Sequence, residues 1–282
     1  MHRRCASLLA LLLSLIVFSA HAEPQRFVRF QKGDTVAYGQ LEGDRVLEIS
    51  GDLFGTWQKT AVSHALSEVR LLPPTQPSKV LALAGNYRSH FRTGTAPATA
   101  PIPQPFLKPT SCLVGQGSAI VLPKDARDVH FEGELVIVIG RTCRKVSKDQ
   151  ALSYVFGVTA GNDVSERIWQ NDPATKDIQW WRAKGADTFG PVGPCIVTGV
   201  DYGNLMLRLR VNGEVKQEES TSQLINDIPT IVSFISRYVT LLPGDLIFTG
   251  TSGKTSALNP GDVVEVDLEQ VGVLRNPVES EK

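Results

Sequence analysis

The chain has 282 residues, 42% of them hydrophobic, and its 29 Lys plus Arg balance 29 Asp plus Glu to a net charge of +0. That balance gives no reason to expect a nucleic acid or an anionic membrane as partner, and fits a small-molecule ligand better. The length suffices for one large domain, or a large domain with a small appendage, and for a substantial core.

In chain order, His2-Arg-Arg4, the apolar run from Leu8 to Phe18 and Ser19-Ala-His-Ala22 read as a signal peptide over residues 1–22, cleaved before Glu23. The run is short for a membrane span, and no other stretch approaches the ~20 apolar residues that spanning requires. The expected product is soluble and secreted or periplasmic. Of 4 cysteines, Cys5 leaves with the signal. Cys112, Cys143 and Cys195 are widely spaced without a CxxC pattern, which argues against a zinc cluster and leaves room for one disulfide.

Arg26 to Ile49 read as a small β-meander, with turns at Gly33-Asp34 and Glu42-Gly-Asp44. A short helix is expected near Ala61 to Glu68. Pro73, Pro74 and Pro77 then form a stiff connector, dividing a β-rich region, 23–76, from a main domain, 77–282. Strands are expected at Lys79 to Ala84, Glu134 to Ile139, Val155 to Ala160, Leu205 to Val211, Asp245 to Thr249 and Val263 to Leu268. The clearest helix is Ile228 to Thr240, where Ile231, Phe234, Ile235 and Tyr238 recur at helical spacing as a core stripe. The Pro-, Ala- and Thr-rich segment Thr93 to Pro105 has no periodicity and reads as a mobile surface loop, either a lid or a plain insertion.

The segment Val129-His-Phe-Glu-Gly-Glu-Leu-Val-Ile-Val-Ile-Gly140 carries the most chemistry. Glu132 and Glu134 are two apart at the entry to an apolar strand and point to one face. Buried there they would repel and lose hydration unless a cation sat between them. Alternate acids on a strand also fit a solvated outer face. A second apolar stretch ends in Gly161-Asn-Asp163, offering a third carboxylate, and three acids suit Mg²⁺ or Mn²⁺. His130 is a neighbour of the pair but stays outside the expected metal shell.

Gly85-Asn-Tyr-Arg-Ser-His90, Phe106-Leu-Lys-Pro109, Phe131-Glu-Gly-Glu-Leu135, Asn162-Asp-Val-Ser-Glu-Arg167, Lys184-Gly-Ala-Asp-Thr-Phe-Gly-Pro191, Val211-Asn-Gly-Glu214, Leu242-Pro-Gly-Asp245 and Thr249-Gly-Thr251 follow one another in this chain. In that order and spacing the stretch from about Pro77 to Val278 resembles the fumarylacetoacetate hydrolase family. The resemblance implies a mainly β protein with some α, built as a mixed β-sandwich roll of that family's C-terminal type behind the small β-rich N-terminal region. It also implies a homodimer, with Mg²⁺ or Mn²⁺ held by Glu132, Glu134 and Asp163, and a 2-oxo acid meeting the metal through its carboxylate and oxo oxygens. Lys184 corresponds to the family's active-site lysine and would neutralise a developing enolate. Arg167 and Gln170 are candidates to orient substrate oxygens or the metal shell, and Thr251 to bind a substrate carboxylate.

Hydrolytic relatives typically carry a Glu three residues after the catalytic His, orienting it as it activates water. Here His90 is followed by Thr93, and no acid occurs between Thr93 and Lys108. The expected activity is hydrolysis of a carbon–carbon bond in a 2-oxo or β-diketo acid of the acylpyruvate kind. Decarboxylation or isomerisation of a 2-oxo acid is the alternative, and a non-catalytic, metal-dependent binding protein is a second.

Overall fold

The structure, a computed structural model, describes residues 23–91 and 102–282. The signal-peptide reading of residues 1–22, Thr93 and most of the Thr93 to Pro105 segment therefore lie outside the described residues. The meander forms as its turns require: Gln25–Lys32, Thr35–Glu42 and Arg45–Gly51 pair antiparallel in succession. The helix expected near Ala61 to Glu68 does not form. Trp57–Ala65 is instead a strand paired with Arg45–Gly51, and only Leu66–Glu68 turns, as one 3₁₀ element. The β-branched Thr60 and Val62 suit the strand, and pairing to an otherwise open edge outweighs any local helical preference.

The meander does not stand apart as a sheet. Gln25–Lys32 pairs antiparallel with Gly190–Thr198, so one sheet runs from Trp57–Ala65 through the meander and on through Gly190–Thr198, Val155–Asn162, Gly133–Ile139, Leu246–Phe248 and Val80–Leu83, to end at Pro105–Lys108. A second sheet contains Glu214–Ser220, Met206–Val211, Val263–Leu268, Gly272–Ser280 and Ile120–Leu122. The fold is mainly β, as the resemblance implies. Strands appear at each expected place in the main domain; Gly190–Thr198, Glu214–Ser220 and Gly272–Ser280 are additional, their mixed composition having hidden them.

The strand Gly133–Ile139 decides where the site lies. Leu135, Ile137 and Ile139 join the large core with Leu207, Leu209, Val264 and Val266 of the second sheet, whereas Val136 and Val138 join a smaller cluster on the opposite face, with Phe27, Val80 and Phe248. Period-2 alternation puts Glu132 and Glu134 on the Val136 side, away from the inter-sheet core. Gly161 lies opposite Glu134 in the ladder with Val155–Asn162, which carries Asp163 to the same face.

The helix Ile228–Ser236 begins at Asp227, whose side chain accepts from Thr230 N–H. It stops short of Thr240, and the expected stripe needs correction: Ile231 and Ile235 are core, Phe234 is half-buried, and Tyr238, beyond the helix end, is 76% exposed. Ser233 and Ser236 are buried in its place, with hydroxyls donating to the carbonyls of Val146 and Ser233. No disulfide forms among the described residues. Cys112, Cys143 and Cys195 are buried free thiols in separate surroundings, with Cys195 Sγ donating to Val271 O and Cys143 bridged across to Leu241.

Gly161 has no room for a side chain, since a Cβ there would meet Phe248 Cε1 and Val136 Cγ2 at 2.5 Å. Gly161→Ala should therefore lower the unfolding free energy by ~1–3 kcal/mol through overpacking, read as a drop in the urea midpoint; an unchanged midpoint would contradict this packing.

Candidate metal centre

Glu132, Glu134 and Asp163 are all buried, and each offers a carboxylate oxygen within 4.8 Å of the other two. That burial rules out the solvated-face reading. The backbone locks the three together: Asp163 N–H donates to Glu132 O, and Glu132 N–H to the Asn162 side-chain oxygen, both at 2.8 Å.

The cations are shared unequally. Lys184, in the short helix Trp181–Gly185, donates to Glu132 Oε2 at 2.5 Å and to Asp163 Oδ2 at 2.8 Å. Arg167 Nη2 reaches Glu132 Oε1 at 2.5 Å, and Lys108 Nζ reaches Asp163 Oδ1 at 2.7 Å. Burial alone would raise the Glu132 carboxyl, but Lys184 and Arg167 beside it overcome that and hold it at about 2. Burial would likewise depress Lys184, yet Asp163 and Glu132 raise it above its ordinary value, so it stays an ammonium. Glu134 is left out. Its Oε2 accepts from Gly250 N–H at 2.7 Å, while the buried Oε1 has no partner. Burial, with Asp163 and Glu132 adding repulsion, pushes its carboxyl well above the usual range. An orphaned hard oxygen among three convergent carboxylates fits Mg²⁺ or Mn²⁺, and the ligands would be Glu132, Glu134 and Asp163.

Gly250 is a glycine for a local reason. Its φ is +100°, and a Cβ would lie 2.8 Å from Asn86 Cβ; only this backbone brings its N–H to Glu134. Asn86 is itself fixed by Asn226 and by the Thr249 carbonyl.

Glu132 also lines a cleft of about 210 Å³, together with Lys184, His90, Arg167, Gln170 and Thr251. All five predicted catalytic and substrate-binding residues therefore share one cleft. His90 Nδ1 lies 2.9 Å from Gly253 O. A carbonyl can only accept, so Nδ1 carries a proton and Nε2 is the ring nitrogen left to act as a base. Nε2 stands 3.9 Å from Glu132 Oε1. Gln170 accepts from Arg167 Nη1 at 2.8 Å and so holds the guanidinium in place. The Thr251 hydroxyl is engaged by protein groups, donating to Gly133 O and accepting from Gln217 Nε2. His130 is held by Asp128 and Thr255, outside the carboxylate cluster as expected.

Lys108 and Gln217 escaped the sequence reading as site residues. Gln217 spans Gly133 N–H and the Thr251 hydroxyl, but sits in a polar run, Lys216-Gln-Glu-Glu219, that reads as surface. Lys108 inverts the usual rule: it is 3% exposed while its neighbour Leu107 is 60% exposed. Its presence in a motif of the resemblance was the only signal.

Glu134→Gln should keep the Gly250 contact and replace the orphaned oxygen with a neutral amide. The metal-free variant should melt a few degrees higher than the wild type, and the stabilisation that Mn²⁺ gives the wild type should vanish. Thermal melts with Mn²⁺ and with chelator test both; a variant that still gains stability from Mn²⁺ would exclude Glu134 as a ligand.

Comparison with known proteins identifies the family. Residues 79–279 match the family described as fumarylacetoacetate (FAA) hydrolase C-terminal, and residues 25–74 match the Rv2993c-like N-terminal family. Protein Rv2993c of Mycobacterium tuberculosis is 45% identical over 264 residues, covering 90% of this chain and 97% of that protein. The solved structure of a 5-carboxymethyl-2-hydroxymuconate delta-isomerase from Mycobacterium smegmatis matches with a TM-score of 0.84 and 42% identity, over 91% of this chain and 100% of that one. A maleylpyruvate hydrolase from Sphingobium sp. SYK-6, in complex with manganese(II) and pyruvate, matches with a TM-score of 0.75 and 29% identity over the same shares. With most of its length covered by the family match, and with relatives of this similarity, the chain belongs to the fumarylacetoacetate hydrolase family.

Proposed function

We propose that the protein is a divalent-metal-dependent enzyme that hydrolyses a carbon–carbon bond in a 2-oxo or β-diketo acid of the acylpyruvate kind. The observation that carries this reading is the buried triad Glu132, Glu134 and Asp163, with one carboxylate oxygen unpartnered, whose Glu132 lines a cleft that also holds a lysine and a histidine. A bound Mg²⁺ or Mn²⁺ would supply a Lewis acid for the carboxylate and oxo oxygens of the substrate. The manganese and pyruvate in the maleylpyruvate hydrolase are consistent with this choice.

The chain's own groups supply the rest. Lys184, kept protonated by Glu132 and Asp163, stabilises negative charge developing on the enolate oxygen as the carbon–carbon bond breaks. His90 Nε2 takes a proton from water, whose oxygen attacks the distal carbonyl, and returns it to the departing enolate carbon. Arg167, braced by Gln170, orients the substrate's anionic end, and Thr251 shapes the wall. The Gly253 carbonyl orients His90 in the way a carboxylate would, so the absence of a Glu at position 93 does not leave the base untethered. A proton shift without water attack is the second reading, favoured by the isomerase among the structural matches.

The test is turnover of an acylpyruvate panel and oxaloacetate with Mg²⁺, with Mn²⁺ and with chelator. Pyruvate plus a carboxylic acid identifies hydrolysis, CO₂ identifies decarboxylation, and keto–enol interconversion alone identifies isomerisation. Undiminished turnover in chelator would sink the metal-dependent reading, and metal-dependent ligand binding without turnover would leave a binding protein. Lys184→Met should lower kcat by about 10²-fold or more.

We also infer export and homodimerisation. The mature protein isolated from the periplasm or medium should begin at Glu23 by mass spectrometry, and its native mass by light scattering should be twice that of the chain starting at Glu23. A retained N-terminus or a monomeric mass would reject the corresponding inference.

A further inference from the structure

Two lysines are buried among the described residues, Lys108 and Lys184, and their surroundings differ. Lys184 lines the cleft; Lys108 does not. The Lys108 side chain is 0% exposed, and its ammonium donates to Asp163 Oδ1 at 2.7 Å, to Phe189 O at 3.2 Å and to Lys184 O. An ammonium has three protons to give, and these contacts use them all.

Each contact ties down a different part of the centre. The Lys184 carbonyl lies in the last turn of Trp181–Gly185, where helix carbonyls lack intrahelical donors. Phe189 O also accepts from Val164 N–H, next to Asp163. Pro109, following Lys108, packs so closely on Gly185 that a Cβ there would lie 2.3 Å from Pro109 Cδ. Asp163 is consequently held by one oxygen from beneath, and Lys184 by its backbone, through the same ammonium.

Building on the metal-site reading above, we propose that Lys108 is a positioning residue, a fixed counter-charge that presents Asp163 to the metal and sets the Lys184 backbone so that the Lys184 ammonium can serve the ligand. It touches neither metal nor substrate. In its absence Asp163 Oδ1 would be a buried acceptor with no partner, and Asp163 would turn to draw Lys184 wholly onto itself, competing with the metal.

The sign of the effect separates this role from simple electrostatics. Removing a positive charge beside a cation site should tighten cation binding if charge alone matters, whereas losing the group that orients a ligand weakens it, typically by about 10–100-fold. Calorimetric titration of the full chain with Mn²⁺ should show Lys108→Met binding about 10-fold more weakly or worse, with Lys108→Arg recovering part of the loss. Equal or tighter binding by Lys108→Met overturns the proposal. Should Lys108→Met fail to fold, ¹⁵N-lysine spectra of the wild type decide. Two ammonium signals protected from exchange are expected, of which one moves when pyruvate is added to the protein loaded with diamagnetic Mg²⁺. Movement of both, or rapid exchange of the Lys108 signal, refutes it. Failure of the reaction reading looks different: the wild type would bind Mn²⁺ with the predicted Lys108 dependence yet turn over nothing.

Discussion

The structure depends on how three carboxylates are kept in a place where water cannot solvate them. Glu132 and Asp163 are each matched by two cations, Arg167 with Lys184 and Lys108 with Lys184, while Glu134 has a single backbone N–H. Burying unmatched charge is so unfavourable that a fold tolerates it only where something else completes the site. The asymmetry among the three acids, more than their number, marks this cluster as a receptor for a cation and not as a closed ion-pair network.

Everything near the cluster follows from serving it. The ladder between Gly133–Ile139 and Val155–Asn162 brings the acids together, and the left-handed turn at Gly250 supplies the one donor that Glu134 has. The short helix carrying Lys184 is braced against the sheet edge by Pro109 and Gly185. Backbone and counter-ions thus define the geometry before any ligand arrives, which is the preorganisation that electrostatic stabilisation of a developing enolate requires.

Much of this was legible in the sequence, for a physical reason. Strand alternation is strict, so Glu132 and Glu134 had to share a face, while only the folded chain decided between a buried and a solvated one. The end of a second apolar stretch offered Asp163, and the order of motifs then added Lys184. What stayed hidden depends on tertiary pairing. Ala61 to Glu68 could read as helix because nothing local reveals that Arg45–Gly51 needs a partner. Tyr238 matched the helical period but fell past the helix end. Lys108 broke the hydrophobic pattern in the one place where a buried charge was wanted, and no periodicity argument can anticipate that.

The join between Gln25–Lys32 and Gly190–Thr198 has a consequence for how the chain can be divided. The two sequence families meet near residue 76, yet the hydrogen-bond ladder passes across that point without interruption. A fragment starting at the proline connector would carry the strand Gly190–Thr198 with Ile196, Val197 and Thr198 stripped of their partners, an invitation to edge-to-edge aggregation. Evolutionary modularity and mechanical modularity therefore part company here: the N-terminal meander acts as the seal on the sheet that carries the carboxylates.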